Sequence, residues 1–190
     1  MKIGDIKNIK IAKKYSNALI EAATENNVLT KVYEDLIFVV ETINTNSQLN
    51  DFLTSPLIKL QDKKDVISKI FSIHINKTTL DFLLVIADSN RLDAINEILN
   101  QFTIEFNKIN NIARPYITSA VELDETQKEQ LIQKLEIKLS KRVIPEYKID
   151  ENIIGGLLIE LDDKTIDCSL KTKFDNMKKQ LTKGNRYGSD

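Results

Sequence analysis

Residues 113–123 read ARPYITSAVEL, and at this point the texture of the chain changes. Pro115 stands near the start, and Tyr116, Ile117, Thr118 and Val121 are residue types suited to a half-buried strand. A proline there predicts a strand entered at a sheet edge, because it cannot donate to a hydrogen-bond ladder. Before Asn111 the spacing is helical almost without pause, and strand patterning appears only afterwards. The segment divides the chain in two.

Upstream, Ala12, Tyr15, Leu19 and Ala22 recur at intervals of three and four, which predicts a helix over residues 6–25. Leu29, Val32, Leu36, Val40 and Ile43 predict a second. A short apolar piece, Leu49 to Leu53, stops before Pro56, and Leu60, Ile67, Ile70 and Phe71 form the next stripe. In TTLDFLLVIADSN (78–90), Leu80, Leu83, Leu84 and Ala87 share one side, with Phe82, Val85 and Ile86 around them. A helix apolar nearly all round is central to its bundle or covered by a partner. Asn90 suits a left-handed helix terminus, and from Arg91 a last stripe runs through Leu92, Ile95, Leu99, Phe102, Phe106 and Ile109.

Downstream, Asp124 and Gln127 form a capping-box start for a helix carrying Leu131, Leu135 and Leu139. Pro145 closes it, and Tyr147 and Ile149 suggest a strand. NIIGGLLIEL (152–161), a turn at Asp162-Asp163-Lys164 and TIDCSL (165–170) read as a hairpin. A final helix over residues 170–182 carries Leu170, Phe174, Met177 and Leu181, and the tail GNRYGSD reads as frayed. The expected fold is mostly α, an N-terminal six-helix bundle followed by a small α+β domain. Its expected bounds are 1–106 for the bundle, 107–113 for a linker, 114–183 for the α+β domain and 184–190 for a flexible tail.

Composition narrows the function classes. Hydrophobic residues are 42% and charged residues 29% of 190, which suits a core-forming chain. A net charge of −1 argues against a general polyanion binder. A single cysteine, Cys168, excludes an intrachain disulfide and any multi-cysteine metal site. No apolar stretch approaches the roughly 20 residues of a membrane span. The opening MKIGDIKNIKIAKKYSNAL is too polar for a signal peptide, so a soluble chain that stays on the side where it is made is expected.

The chemistry-bearing residues lack companions. No GK[ST] comes after Gly155-Gly156, and LLIEL reads as a strand rather than a helix whose N-terminus could face an anion. The pair instead allows a bulge or a close backbone contact at the foot of the hairpin. His74 is the only histidine and is expected at a helix end or loop. Cys168, among alternating strand neighbours, is expected to be a buried, inert thiol. Asp162 and Asp163 fit a turn better than a carboxylate pair with Asp167. No catalytic residue, metal ligand, cofactor or small-molecule substrate is expected. Residues 164–190 hold six lysines and Arg186 against three aspartates, a net of +4. That is a solvated helix face or an acidic-partner contact, and it leaves a helical adaptor with a nucleic-acid-binding α+β domain as the alternative function.

Three stretches carry a family resemblance: AKKYSNALIEAA (12–23), FLLVIADSNRLDAINEILNQF (82–102) and IGGLLIELDDKTIDCSLKTKFDNMKKQL (154–181). They resemble the delta subunit of F-type ATP synthase and its mitochondrial relative, the oligomycin-sensitivity-conferring protein. The likeness spans nearly the whole chain and is most specific in the last stretch. Asn90 and Cys168 stand where that family often has glycine, and Lys171 and Lys173 where it often has arginine. The resemblance implies a non-catalytic stator connector, peripheral to the cytoplasmic face of a bacterial inner membrane or its organelle equivalent. It implies that the helical domain binds the N-terminal helices of the alpha subunits between its first and fifth helices, at Ala12, Tyr15, Leu19, Ala22, Leu84 and Asp88. It also implies that the C-terminal domain holds the end of the peripheral-stalk b subunits, with Gly155, Gly156, Asp167, Ser169, Lys171, Lys173 and Phe174 structural or stalk-facing. Neither nucleic acid nor direct membrane insertion is implied.

Overall fold

The structure, a computed structural model, describes residues 3–161 and 164–184. Asp162, Asp163, the tail from residue 185 and the side chain of Leu181 lie outside the described residues. The chain forms two compact units that part after Asn107.

The first unit is helical: α1 (Ile3–Glu25), α2 (Leu29–Thr45), α3 (Ser47–Thr54), α4 (Leu60–Phe71), α5 (Lys77–Asp88), a 3-10 turn at Leu92–Ala94, and α6 (Ile95–Ile109). Most of the apolar stripes become buried faces, with Leu36, Ile67, Phe71 and Phe102 almost wholly enclosed, but in α4 Leu60 is exposed, Ile70 is half-buried and Lys63 is buried. Tyr33 of α2 stacks on Phe106 of α6 at 4.2 Å between ring centroids. In α5 the buried arc is Thr79, Phe82, Leu83, Ile86 and Ala87, rotated from the expected one, and Leu80 and Leu84 are only half-buried. A helix apolar on most faces leaves the choice of inner face to packing, not to its pattern. In α6, Ile98 takes the buried place next to a half-buried Leu99, and Ile109 is exposed.

Caps explain where these helices begin and end. Asn46 accepts the Leu49 N–H at 3.1 Å to start α3, and Asn76 accepts the Thr78 N–H at 2.9 Å to start α5. Asn27, Asn90 and Asn111 stop α1, α5 and α6 with φ of 56°, 50° and 55°. Asparagine tolerates this left-handed conformation better than any other residue with a side chain, which lets a chain of five glycines end its helices sharply.

The second unit comprises β1 (Ile112–Ala113), β2 (Tyr116–Ser119), α7 (Glu125–Leu139), β3 (Arg142–Val143), β4 (Glu146–Ile149), a 3-10 turn at Glu151–Ile153, β5 (Leu157–Leu161), β6 (Lys164–Asp167) and α8 (Leu170–Gly184). Among the described residues there are thus eight α-helices, in a mostly helical chain with a small strand-containing C-terminal region. The expected capping box is present: Gln127 N–H donates to Asp124 Oδ1 at 2.8 Å, and Asp124 N–H to Gln127 Oε1 at 3.1 Å. Leu135 of α7 packs with Ile117, Val143 and Ile159 to form the core.

The sheet corrects two expectations. β2 is not at an edge: the sheet order is β4-β2-β5-β6, with β2 parallel to β4 and antiparallel to β5. Pro115 precedes β2, so its missing N–H costs no ladder bond, and its carbonyl accepts the Glu146 N–H at 2.9 Å. Nor is 107–113 a free linker, since α6 runs through Ile109 and Ile112–Ala113 pair with Arg142–Val143.

Candidate functional site

In the first unit a groove of about 290 Å³ lies between α1 and α5. Ala18, Leu19 and Ala22 line one side, and Asp81, Phe82 and Val85 the other. The two alanines keep the α1 wall low. Val85 is 52% exposed although its neighbours Leu83 and Ile86 are buried, so an apolar strip faces outward. Asn26 Nδ2 donates to Thr78 Oγ1 at 3.5 Å, closing one end. Further along, Tyr15 sets its ring against the edge of Phe82 at 6.5 Å and 70°. The α5 wall is anchored from beneath: the buried Asp35 Oδ2 of α2 accepts the Asn76 N–H at 2.6 Å and the Thr79 hydroxyl at 3.0 Å. A fixed, shallow, apolar trough of this form suits an amphipathic helix laying down residues at three- and four-residue spacing.

Of the residues expected to meet a partner helix, Leu19 and Ala22 line the groove and Tyr15 borders it through Phe82. Ala12 is 0% exposed and belongs to the core beneath. Leu84 and Asp88 do not line the groove; Asp88 instead pairs with Lys64 Nζ of α4 at 2.5 Å. The expected set lacks Ala18, Asn26, Thr78, Asp81, Phe82 and Val85, which also line the groove. The pairs Ala18–Ala22 and Asp81–Val85, each four apart, were the available signal.

In the second unit the glycine pair makes a close backbone contact. Gly156 has φ +81°, and a Cβ built on it would collide with the Cys168 carbonyl oxygen. The Cys168 N–H donates to Leu157 O and the Leu170 N–H to Gly155 O, both at 2.8 Å, which pins the chain from β6 into α8 against this loop. Strand β6 ends at Asp167, and Cys168 is exposed rather than buried. Beyond the ladder its side chain has no sheet to point into.

Asp167 starts α8. Its carboxylate accepts the Thr172 hydroxyl at 2.7 Å and the Ser169 N–H at 2.8 Å. The Thr172 hydrogen bond, followed by those from Ser169, holds its pKa below the ordinary aspartate value. Ser169 is buried, whereas Lys171, Lys173 and Phe174 are exposed, Phe174 at 56%. A hollow of about 440 Å³ lies beside the glycine loop, lined by Val121, Leu123 and Leu131 together with Ile154, Gly155 and Leu157. His74, exposed in the turn after α4, sits against Phe38 at 5.7 Å.

Comparison with known proteins places this geometry. Residues 11–181 match the family model described as "ATP synthase delta (OSCP) subunit". The chain is 35% identical over 175 residues to ATP synthase subunit delta of Lachnoclostridium phytofermentans, covering 91% of this chain and 96% of that one. It is 36% identical over 170 residues to the chloroplastic ATP synthase subunit delta of Galdieria sulphuraria, covering 89% and 96%. Its fold is similar to a chain of the Toxoplasma gondii mitochondrial ATP synthase hexamer solved by cryo-EM, with a TM-score of 0.72 at 19% identity, covering 90% of this chain and 97% of that one. The family match runs through both compact units, and the chain belongs to the ATP synthase delta (OSCP) subunit family.

Proposed function

We propose that this chain is the non-catalytic stator connector of an F-type ATP synthase, joining the catalytic hexamer to the peripheral stalk so that rotary torque is resisted and proton flow is coupled to ATP synthesis. The observation that carries the reading is the family match over residues 11–181, which spans both units. The helices α1–α6 act as a six-helix bundle, whose α1–α5 groove receives the N-terminal helix of an alpha subunit. The α+β domain, 114–183, holds the ends of the b subunits with the surface around Gly155, Gly156, Lys171, Lys173 and Phe174. No described helix is long and apolar enough to cross a membrane. Attachment is through these partners, peripheral to the cytoplasmic face of a bacterial membrane or its organelle equivalent.

Two separate grips suit a tether under load. Each contact raises the effective concentration for the other, and such linkage can raise avidity by roughly 10²–10⁴ without any new contact. The test is recovery of the enzyme's subunits with the tagged chain from membranes, together with calorimetric titration of the N-terminal peptide of the cognate alpha subunit. Val85→Asp should weaken that titration at least tenfold, since covering one large apolar side chain contributes about 1.5–3 kcal/mol. Unaltered binding by Val85→Asp and Tyr15→Asp would remove the groove from the interface.

A further inference from the structure

We propose that the hollow beside the glycine loop is a binding site for a medium-chain aliphatic carboxylate. Every wall of the hollow belongs to the second unit of this chain, so the site stands apart from the stator reading. At about 440 Å³ it falls within the size of small-molecule sites, roughly 300–1,000 Å³. Its apolar lining is aliphatic: Val121, Leu123, Leu131, Ile154 and Leu157. None of these is fully buried, and Val121 and Ile154 are 69% and 62% exposed. An apolar tail that covers them removes surface which folding alone leaves in water.

The polar part of the lining is one-sided. Gln127, Gln130 and Lys134 stand at three- and four-residue spacing and so share one face of α7. The capping box commits the Gln127 side-chain oxygen to the Asp124 N–H at 3.1 Å. What Gln127 has left to offer is the donor end of its amide. Among the described residues that line the hollow, Lys134 is the one charged side chain. It has no ion-pair partner among the described residues. The rim therefore offers donors and a positive charge, with no lining carboxylate to compete. A ligand with an acceptor-only anionic head and an aliphatic tail meets both parts.

Ile154 supplies a separate sign. It holds φ 67° and ψ −37°, a left-handed conformation that is strained for a β-branched residue. Strain of this kind persists where the surrounding structure enforces it, and it clusters at ligand clamps. Burial does not account for it here, since the side chain is mostly exposed. Glycine at this position would relax the loop but strip the hollow of one apolar wall.

The test is NMR titration of the isotope-labelled full chain with octanoate at low salt. Saturable shifts should gather at Val121, Leu131, Lys134 and Gly155. Octan-1-ol, with the same tail and no charge, should bind wild type about fivefold more weakly, the effect of one exposed charge pair. Lys134→Gln should weaken octanoate binding to a similar extent and leave octan-1-ol binding unchanged. Lys10→Gln, which removes the same charge from α1, should bind octanoate as wild type does. Ile154→Gly should melt at a higher temperature than wild type and yet bind octanoate more weakly, a pairing that a merely structural isoleucine would not produce. Shifts that are absent or fail to saturate, equal affinity for octanoate and octan-1-ol, or wild-type octanoate binding by Lys134→Gln or Ile154→Gly overturns the proposal.

Discussion

The carboxylate of Asp35 reaches from the buried face of α2 to the backbone N–H of Asn76, 2.6 Å away, at the start of α5. It thereby ties two helices separated in sequence by α3 and α4. The same oxygen accepts the Thr79 hydroxyl, and the other oxygen pairs with Lys31 Nζ at 2.9 Å. Asp35→Ala should lower the stability of the helical unit by about 1–3 kcal/mol, the cost of leaving a buried donor unsatisfied. Asp35→Asn, which keeps an acceptor oxygen, should cost less. Urea midpoints read by far-UV circular dichroism check the order, and equal losses would mean that the acceptor is not what matters.

Ser16 makes the opposite case. Its Oγ is fully buried in α1 and, among the described residues, has no hydrogen-bond partner. Ser16→Ala removes that group without opening space for water, so the variant should be as stable as wild type or more stable by about 1 kcal/mol. A lower melting temperature for Ser16→Ala would point to an interaction that the geometry does not reveal.

Gly156→Val should damage the second unit and spare the first. The new Cβ would meet the Cys168 carbonyl oxygen, and φ +81° is strained for any L side chain. Left-handed strain and overpacking together come to about 2–4 kcal/mol. Gly155→Ala should be milder, because its Cβ meets the end of the flexible Leu170 side chain at 2.8 Å. Amide exchange should quicken in β5, β6 and the start of α8 while α1–α5 keep their protection. Wild-type stalk binding by Gly156→Val would show that the contact is only tolerated.

Acid should loosen the start of α8. Hydrogen bonds from Thr172 and Ser169 favour the charged form of Asp167 and lower its folded pKa. A depressed aspartate contributes stability that is present above its unfolded pKa and lost as pH falls through the folded one. Thr172→Val should move the carboxylate titration upward, as read by carbon-detected NMR, and α8 should fray at a higher pH than in wild type. A titration curve unmoved by that change would refute the assignment of cause.

Asn90→Gly should leave stability nearly unchanged, whereas Asn90→Val should lower it by about 1–2 kcal/mol, because a β-branched residue resists the left-handed conformation. Asn90 holds φ 50°. Thermal melts of the two variants separate this from a side-chain role, in which both would fall together.

How much of this was legible in the sequence depends on whether the determinants were local. The stripes of α1, α2 and α4, the Asn90 terminus and the Asp124–Gln127 capping box arise from neighbours within a turn or two. The close approach at Gly155-Gly156 was legible for the same reason, as a demand on the backbone itself. The central position of β2 was not, because its partners, Glu146–Ile149 and Leu157–Leu161, are set by tertiary pairing. The groove was half legible. Leu19 and Ala22 follow from the stripe, but which face of an all-apolar α5 turns outward is decided by the helices around it, so the pattern alone does not separate the exposed Val85 from the half-buried Leu84.

The mixed sheet also sets an order of events for a chain still leaving the ribosome. The helical unit is built from contacts between successive helices and can close as soon as α6 is out, whereas β2 cannot complete its ladder until Ile117 meets Ile159. Local contacts form quickly and distant strand pairings slowly. A nascent chain stalled before Leu157 should therefore carry a folded, protease-resistant N-terminal half and a β2 with one side still bare. Until synthesis is nearly finished, that bare strand is the part of the molecule most in need of protection from its neighbours.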